Sequence, residues 1–181
     1  MGVIYDRTGA FDAAECDLII ALGAAGDPHP APVYGLDSSE VNPAVRDVVT
    51  SYRARSAETA WVYDRLDALF AEAAEALGIP VGPISEEIQI LRYGPGCHFS
   101  LWHTDAGADS HEARRLSVSV ELSEPGNYEG GILEIIPDTI GRGRTLPRGG
   151  ARFFPSRALH RLTPVTHGTR HALVIWTGAP L

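Results

Sequence analysis

Leu116-Ser117-Val118-Ser119-Val120-Glu121-Leu122 alternates apolar and polar side chains without a break. Successive side chains on a β-strand point to opposite faces, so this pattern predicts a half-buried strand, with Ser117, Ser119 and Glu121 away from the apolar face. On its upstream side, Ile88 and Ile90 alternate with Gln89 and Leu91, the chain turns at Gly94-Pro95-Gly96, and His98 to Asp105 reads as another strand. Downstream, Pro125-Gly126-Asn127 and Gly130-Gly131 lead into the apolar run Ile132 to Ile136. Further short strands fit Thr145-Leu146, Ala151 to Phe154, Leu159 to Leu162 and His171 to Trp176. Many short strands between Gly/Pro turns favour a sandwich or barrel over a parallel α/β fold.

The first half of the chain reads differently. Asp12 and Glu15 have capping-box spacing, and Ala13, Cys16, Ile19 and Ile20 follow on one side before Gly23. Residues 26–45 are rich in Pro and Gly without clear periodicity, and Asp27-Pro28-His29-Pro30 reads as a loop. From about Ser56 a second helix carries the stripe Val62, Leu66, Leu69, Phe70, Ala73 and Leu77, and Gly78 with Pro80 stops it. The expected fold is mainly β: a jelly-roll body over about 86–181, with N-terminal helices packed on it as support over about 1–85, the whole forming one domain.

Composition removes several function classes. The net charge of −8 argues against nonspecific nucleic-acid binding, which needs a basic surface. All 15 basic residues are arginines, so P-loop nucleotide chemistry and lysine Schiff bases are excluded. Cys16 and Cys97 are too few for a disulfide scaffold or a four-thiolate zinc site. The amino terminus has no signal architecture, and the apolar run Leu18 to Ala25 is too short to span a bilayer. A soluble cytoplasmic protein without a membrane or nucleic-acid partner is the expectation.

His103-Thr104-Asp105 is the first chemical constellation. On an extended segment, residues two apart share a face, so imidazole and carboxylate can converge on one ion. A second histidine would complete the two-His-one-carboxylate face that suits nonheme iron(II) and leaves positions open for substrate and oxygen. Of the four downstream, His111 lies in a polar stretch, His167 in an expected turn, and His171 faces away from Arg170. His160 follows the Phe153-Phe154-Pro155-Ser156 bend, opens a strand and is the best placed. Arg170 comes ten residues later, and if the two strands pair as a hairpin, both side chains enter one cavity. A buried arginine needs an anion, and a dicarboxylate that binds the metal at its other end supplies one. The plainer readings are a chance His-x-Asp triplet, a hydrogen-bonded core histidine at 160 and a surface arginine at 170.

These residues also form an ordered set. Leu91-Arg92-Tyr93-Gly94-Pro95-Gly96, His103-Thr104-Asp105, Leu122-Ser123-Glu124-Pro125, Tyr128-Glu129-Gly130-Gly131-Ile132-Leu133, Phe154-Pro155-Ser156 and Leu159-His160 through Gly168-Thr169-Arg170 resemble the prolyl/lysyl-hydroxylase-type iron and 2-oxoglutarate oxygenases, prolyl 4-hydroxylase-like in order, over roughly residues 86–178. The resemblance implies a double-stranded β-helix with His103, Asp105 and His160 as iron ligands. It further implies that Arg170 holds the distal carboxylate of 2-oxoglutarate and that Tyr93 donates a hydrogen bond to it. Ala172 stands where relatives often have Ser or Thr, and Ser100 where they often have an aromatic.

The implied activity is a dioxygenase using Fe(II), 2-oxoglutarate and O2, hydroxylating an unactivated C–H bond with release of succinate and CO2. A small or amino-acid-like substrate is expected, and hydroxylation of a prolyl or other residue in a peptide is the enzymatic alternative. A noncatalytic jelly-roll binding module and a zinc hydrolase are readings of other classes. Phe99, Leu101 and Trp102 are expected as apolar walls, Pro28 to Ser56 and Ala106 to Arg115 as mouth loops, and Arg114 or Arg115 against an anionic group.

Overall fold

The computed structural model describes residues 4–34, 39–107, 113–136 and 145–180. Strand β1 (Tyr5–Arg7) leads to helix α1 (Ala13–Ala25), whose Asp12 and Glu15 complete the expected capping box. Five short strands follow: β2 (His29–Pro30), β3 (Val33–Tyr34), β4 (Ser39–Glu40), β5 (Arg46–Asp47) and β6 (Val49–Arg53). Helix α2 (Ala60–Leu77) ends at Gly78, which adopts the left-handed conformation that only glycine takes without strain. The second half adds β7 (Ile88–Tyr93), β8 (His98–His103), β9 (Leu116–Glu121), β10 (Tyr128–Gly130) and β11 (Leu133–Ile135). It closes with β12 (Ala151–Pro155), β13 (His160–Leu162), β14 (Val165–Gly168) and β15 (Arg170–Thr177).

The large sheet runs β1-β12-β9-β15-β7-β6-β2 and the facing small sheet β11-β13-β8-β5, with antiparallel neighbours throughout. This is a jelly roll, the double-stranded β-helix expected, with both helices on its outer side. Ile88, Ile90, Val118, Val120, Phe153, Leu173 and Ile175 point outward and pack under Cys16, Ile19, Leu66 and Phe70 of the helices. Phe70 meets Phe153 edge-on at 5.2 Å between ring centroids. On the inner side Leu91 and Tyr93 join Leu162 and Val165 in a second, smaller core. No helix among the described residues is long and apolar enough to cross a membrane.

Four local expectations are corrected. Strand β9 is buried along its whole length, because Ser117, Ser119 and Glu121 line the space between the sheets instead of facing water. The loop expected at Asp27-Pro28-His29-Pro30 includes β2, which pairs with β6 in the large sheet, and β3 pairs with β4 further on. Thr145-Leu146 forms no strand, since the turn closed by Gly150 N–H to Pro147 O comes first and strand pairing resumes after it. His167 sits on β14, paired with Glu129 of β10, and not in a turn.

Candidate metal centre

Strands β8 and β13 are neighbours in the small sheet, and their register sets His103 directly opposite His160. The two rings lie 4.2 Å apart, and Asp105, two residues past His103, approaches His160 Nε2 to 3.5 Å. Ligand atoms of His103, Asp105 and His160 all fall within 4.8 Å of one another. Each imidazole is fixed from behind: His103 Nδ1 donates to Leu101 O at 2.8 Å, and His160 Nδ1 to Ala158 O at 3.0 Å. A carbonyl can only accept, so both protons sit on Nδ1 and both Nε2 atoms are left as donors to an ion. Asp105 is held equally firmly, with Ser117 donating to Oδ2 at 2.7 Å and Ser156 O accepting from the Asp105 and Ala106 amides.

The ionisation of the three groups is coupled. Burial, then the charge of His160, lowers His103 to about 4, so this ring is neutral at physiological pH. Burial alone would push Asp105 up, but His160, His103 and the Ser117 hydroxyl outweigh it and hold the carboxyl below the usual range. His160 is raised despite burial, because Asp105 stabilises its protonated form. Two neutral-capable imidazoles and one committed carboxylate form a donor set that fits a divalent iron, with Nε2, Nε2 and a carboxylate oxygen converging from one side.

Arg170 opens β15 in the opposite sheet. It does not pair with the strand of His160 as a hairpin; β15 lies between β7 and β9, and the two side chains reach a common cavity from facing sheets. Tyr93 is its cross-strand partner on β7, and both are buried. Burial raises the Tyr93 hydroxyl and keeps it a proton donor. The space for the Arg170 stem depends on Gly131, where a Cβ would come within 3.0 Å of Arg170 Cδ. Arg170 already has an anion: its Nε donates to Glu121 Oε2 at 2.9 Å, and burial raises the Glu121 carboxyl even beside that cation. Tyr128 packs beside this pair, pushed up to about 12 by burial and the Glu121 charge.

Other expected site residues separate. Phe99 stacks on His103 at 3.7 Å and is a wall of the centre. Leu101 is exposed, and Trp102 lies under the Arg161 guanidinium. Arg114 is committed to both oxygens of Glu86 and stacks over Trp176, so its charge is already satisfied. His171 turns away from the cavity towards Ser123, and His111 lies outside the described residues. Sequence reading missed Ser117, Ser156, Glu121 and Arg46, all within the cavity or behind its ligands. The polar side of the β9 alternation was the one available signal for Ser117 and Glu121.

Comparison with known proteins agrees with this geometry. The chain is 42% identical over 90 residues to a PKHD-type hydroxylase of Klebsiella pneumoniae, covering 47% of this chain and 40% of that protein. It is 41% identical over 81 residues to the PKHD-type hydroxylase YbiX of Escherichia coli O157:H7, covering 41% and 35%. The chain thus matches less than half of the length of these curated relatives. Among solved structures it resembles a Pseudomonas putida prolyl-4-hydroxylase, with a TM-score of 0.72 at 19% identity over 99% of this chain and 94% of that one. A Trichoplax adhaerens prolyl hydroxylase in complex with a hypoxia inducible factor peptide fragment superposes with a TM-score of 0.75 at 13% identity, over 97% and 83%. These two likenesses speak for the fold. The sequence pattern of the 2OG-Fe(II) oxygenase superfamily runs through residues 88–178, half of the chain, and the protein belongs to that superfamily.

Proposed function

We propose that the protein is a hydroxylase in which His103, Asp105 and His160 hold Fe(II), and Arg170 with Tyr93 takes the distal carboxylate of 2-oxoglutarate. The observation that carries this reading is the pair of Nδ1–carbonyl hydrogen bonds, which aim both Nε2 atoms at the side of Asp105. Bound iron supplies oxygen activation; overall, 2-oxoglutarate, O2 and R–H become succinate, CO2 and R–OH. The chain's own contribution is placement. Strands β8 and β13 carry the two histidines, the segment after β8 carries Asp105, and β15 brings the cation from the other sheet. Phe99, Leu133, Phe154 and Val174 keep the cavity between them apolar. Glu121 holds the Arg170 guanidinium in place until a second carboxylate arrives. Residues 1–85 act as support for this body within one domain.

A small or amino-acid-like substrate fits the narrow cavity between the sheets. A peptidyl substrate is the second reading, favoured by the Trichoplax neighbour that holds a peptide fragment. Release of labelled CO2 from 1-labelled 2-oxoglutarate, measured with Fe(II) and O2, separates these readings. Stimulation by free amino acids or small carboxylic acids supports the first and stimulation by proline-containing peptides the second. No 2-oxoglutarate turnover by metal-loaded protein would leave a noncatalytic binding module as the better account.

A further inference from the structure

Arg46 lines the cavity but has no part in the metal or cosubstrate sites described above. It lies on β5, at the edge of the small sheet, opposite Phe99 of β8. Its side chain is buried, with 8% exposure, and reaches inward over the Phe99 ring at 5.1 Å. Phe99 in turn stacks on His103, so the guanidinium stands one ring away from the metal ligands. Its hydrogen bonds are all to neutral groups: Pro32 O at 3.0 Å and, more weakly, Gln89 Oε1 at 3.4 Å. The Nε atom has no partner, and Arg46 forms no ion pair with any described residue. The two other arginines that are as deeply buried differ, since Arg152 and Arg170 are each matched by a carboxylate. An arginine taken out of water without an anion is costly, and such a group is retained where a ligand supplies the anion.

The position of Arg46 says which ligand. Two clefts meet at His103 and Asp105. The inner one contains Tyr93 and Arg170; the outer one opens past Pro32, Leu101 and Gly107. Arg170 borders only the inner cleft of the two, whereas Arg46 borders both. A dicarboxylate anchored on Arg170 fills the inner side, and the compound to be oxidised must approach from the outer side. We infer that Arg46 binds a carboxylate of the primary substrate, which is therefore a small carboxylic acid, such as a free amino acid, held by its acid group while a C–H bond further along faces the metal. This assignment rests on the hydroxylase reading for the word substrate, but the anion site itself does not.

Trifluoroacetate is a suitable probe, followed by fluorine NMR through the relaxation that Mn(II) bound at the His103 centre imposes on it. The protein is loaded with Mn(II) and saturating 2-oxoglutarate, whose own affinity is measured by calorimetry. The expected result is saturable relaxation in wild type, an affinity for trifluoroacetate at least about tenfold weaker in Arg46→Gln and partial recovery in Arg46→Lys. Propionate displaces the probe and propionamide does not. Binding of 2-oxoglutarate stays within about threefold of wild type in Arg46→Gln, which also reports that the fold is intact. Equal trifluoroacetate binding in all three proteins overturns the inference. So does loss of 2-oxoglutarate affinity alone, which would make Arg46 part of the cosubstrate site. Should Arg46→Gln lose both ligands, Arg46→Lys decides: weak trifluoroacetate binding with normal 2-oxoglutarate binding upholds the site, and full recovery of both assigns Arg46 a structural role. Arg46-dependent trifluoroacetate binding in a protein that never binds 2-oxoglutarate would uphold the anion site and sink the oxygenase reading.

Discussion

At the scale of single residues, the centre is built from side chains whose orientation is fixed by neighbours that carry no chemistry themselves. Ser117 is the clearest: its hydroxyl bridges Asp105 Oδ2 and Ser156 Oγ, so the carboxylate presents its other oxygen to His160. Ser117→Ala should weaken Mn(II) or Fe(II) binding by about 10- to 100-fold while leaving the far-UV spectrum unchanged, as removal of a group behind a metal ligand usually does. Unchanged affinity would mean that backbone placement alone orients Asp105. Protonation gives a second expectation. His160 is raised above its ordinary value by Asp105, so a metal there would displace a proton, and affinity falls by about tenfold for each pH unit below that raised value. His103, lowered to about 4, adds no second proton until far more acid conditions. Titration of Mn(II) by EPR between about pH 5.5 and 7.5 tests the slope; a flat profile would contradict the coupled pair. The cluster of His103, Asp105 and His160 was legible in the sequence, because His103 and Asp105 are two apart in the chain and His160 opens another strand. Ser117, Ser156 and Arg46 were not, because they meet the centre only through pairing between distant strands.

At the scale of elements, strand β9 shows how a correct pattern can point to the wrong surroundings. Its alternation was visible, yet its polar side chains face an interior, since a jelly roll buries both faces of the large sheet, one under helices and one in the cavity. The same face carries Glu121 to Arg170. If Arg170 takes 2-oxoglutarate as proposed, two carboxylates would compete for one guanidinium, and like charges a few ångströms apart repel by several kcal/mol even at a moderate local dielectric of about 20. Glu121→Gln removes the repulsion and keeps the shape. It should tighten 2-oxoglutarate binding, by roughly tenfold after Arg170 relaxes, as read by calorimetry on Mn(II)-loaded protein. Weaker binding would show instead that the Glu121 charge is needed to hold Arg170 in position. The pairing of β13 with β15 that would have brought His160 and Arg170 together does not occur; the two strands belong to facing sheets, and the side chains meet across the cavity.

At the scale of the whole molecule, the helices and the β body divide the work. The helices cover the outer side of the large sheet and make it rigid, through contacts such as Phe70 on Phe153. The inner side is thereby free to carry buried polar groups, among them the pairs His160–Asp105 and Arg170–Glu121. Fold class and helix positions could be read from periodicity, whereas the contribution of β2 and β5 to the sheets could not, because two-residue strands carry no periodic signal. The central claim is that a metal at His103, Asp105 and His160 and a carboxylate at Arg170 share one ligand. Anaerobic protein with Fe(II) and 2-oxoglutarate tests it through the visible metal-to-ligand charge-transfer band, with His160→Ala and Arg170→Ala alongside. Wild type should show the band, His160→Ala should lose it, and Arg170→Ala should need far more 2-oxoglutarate to give it. A wild-type protein that holds iron but gives no band, or an Arg170→Ala protein that gives one at the wild-type concentration, would contradict the claim.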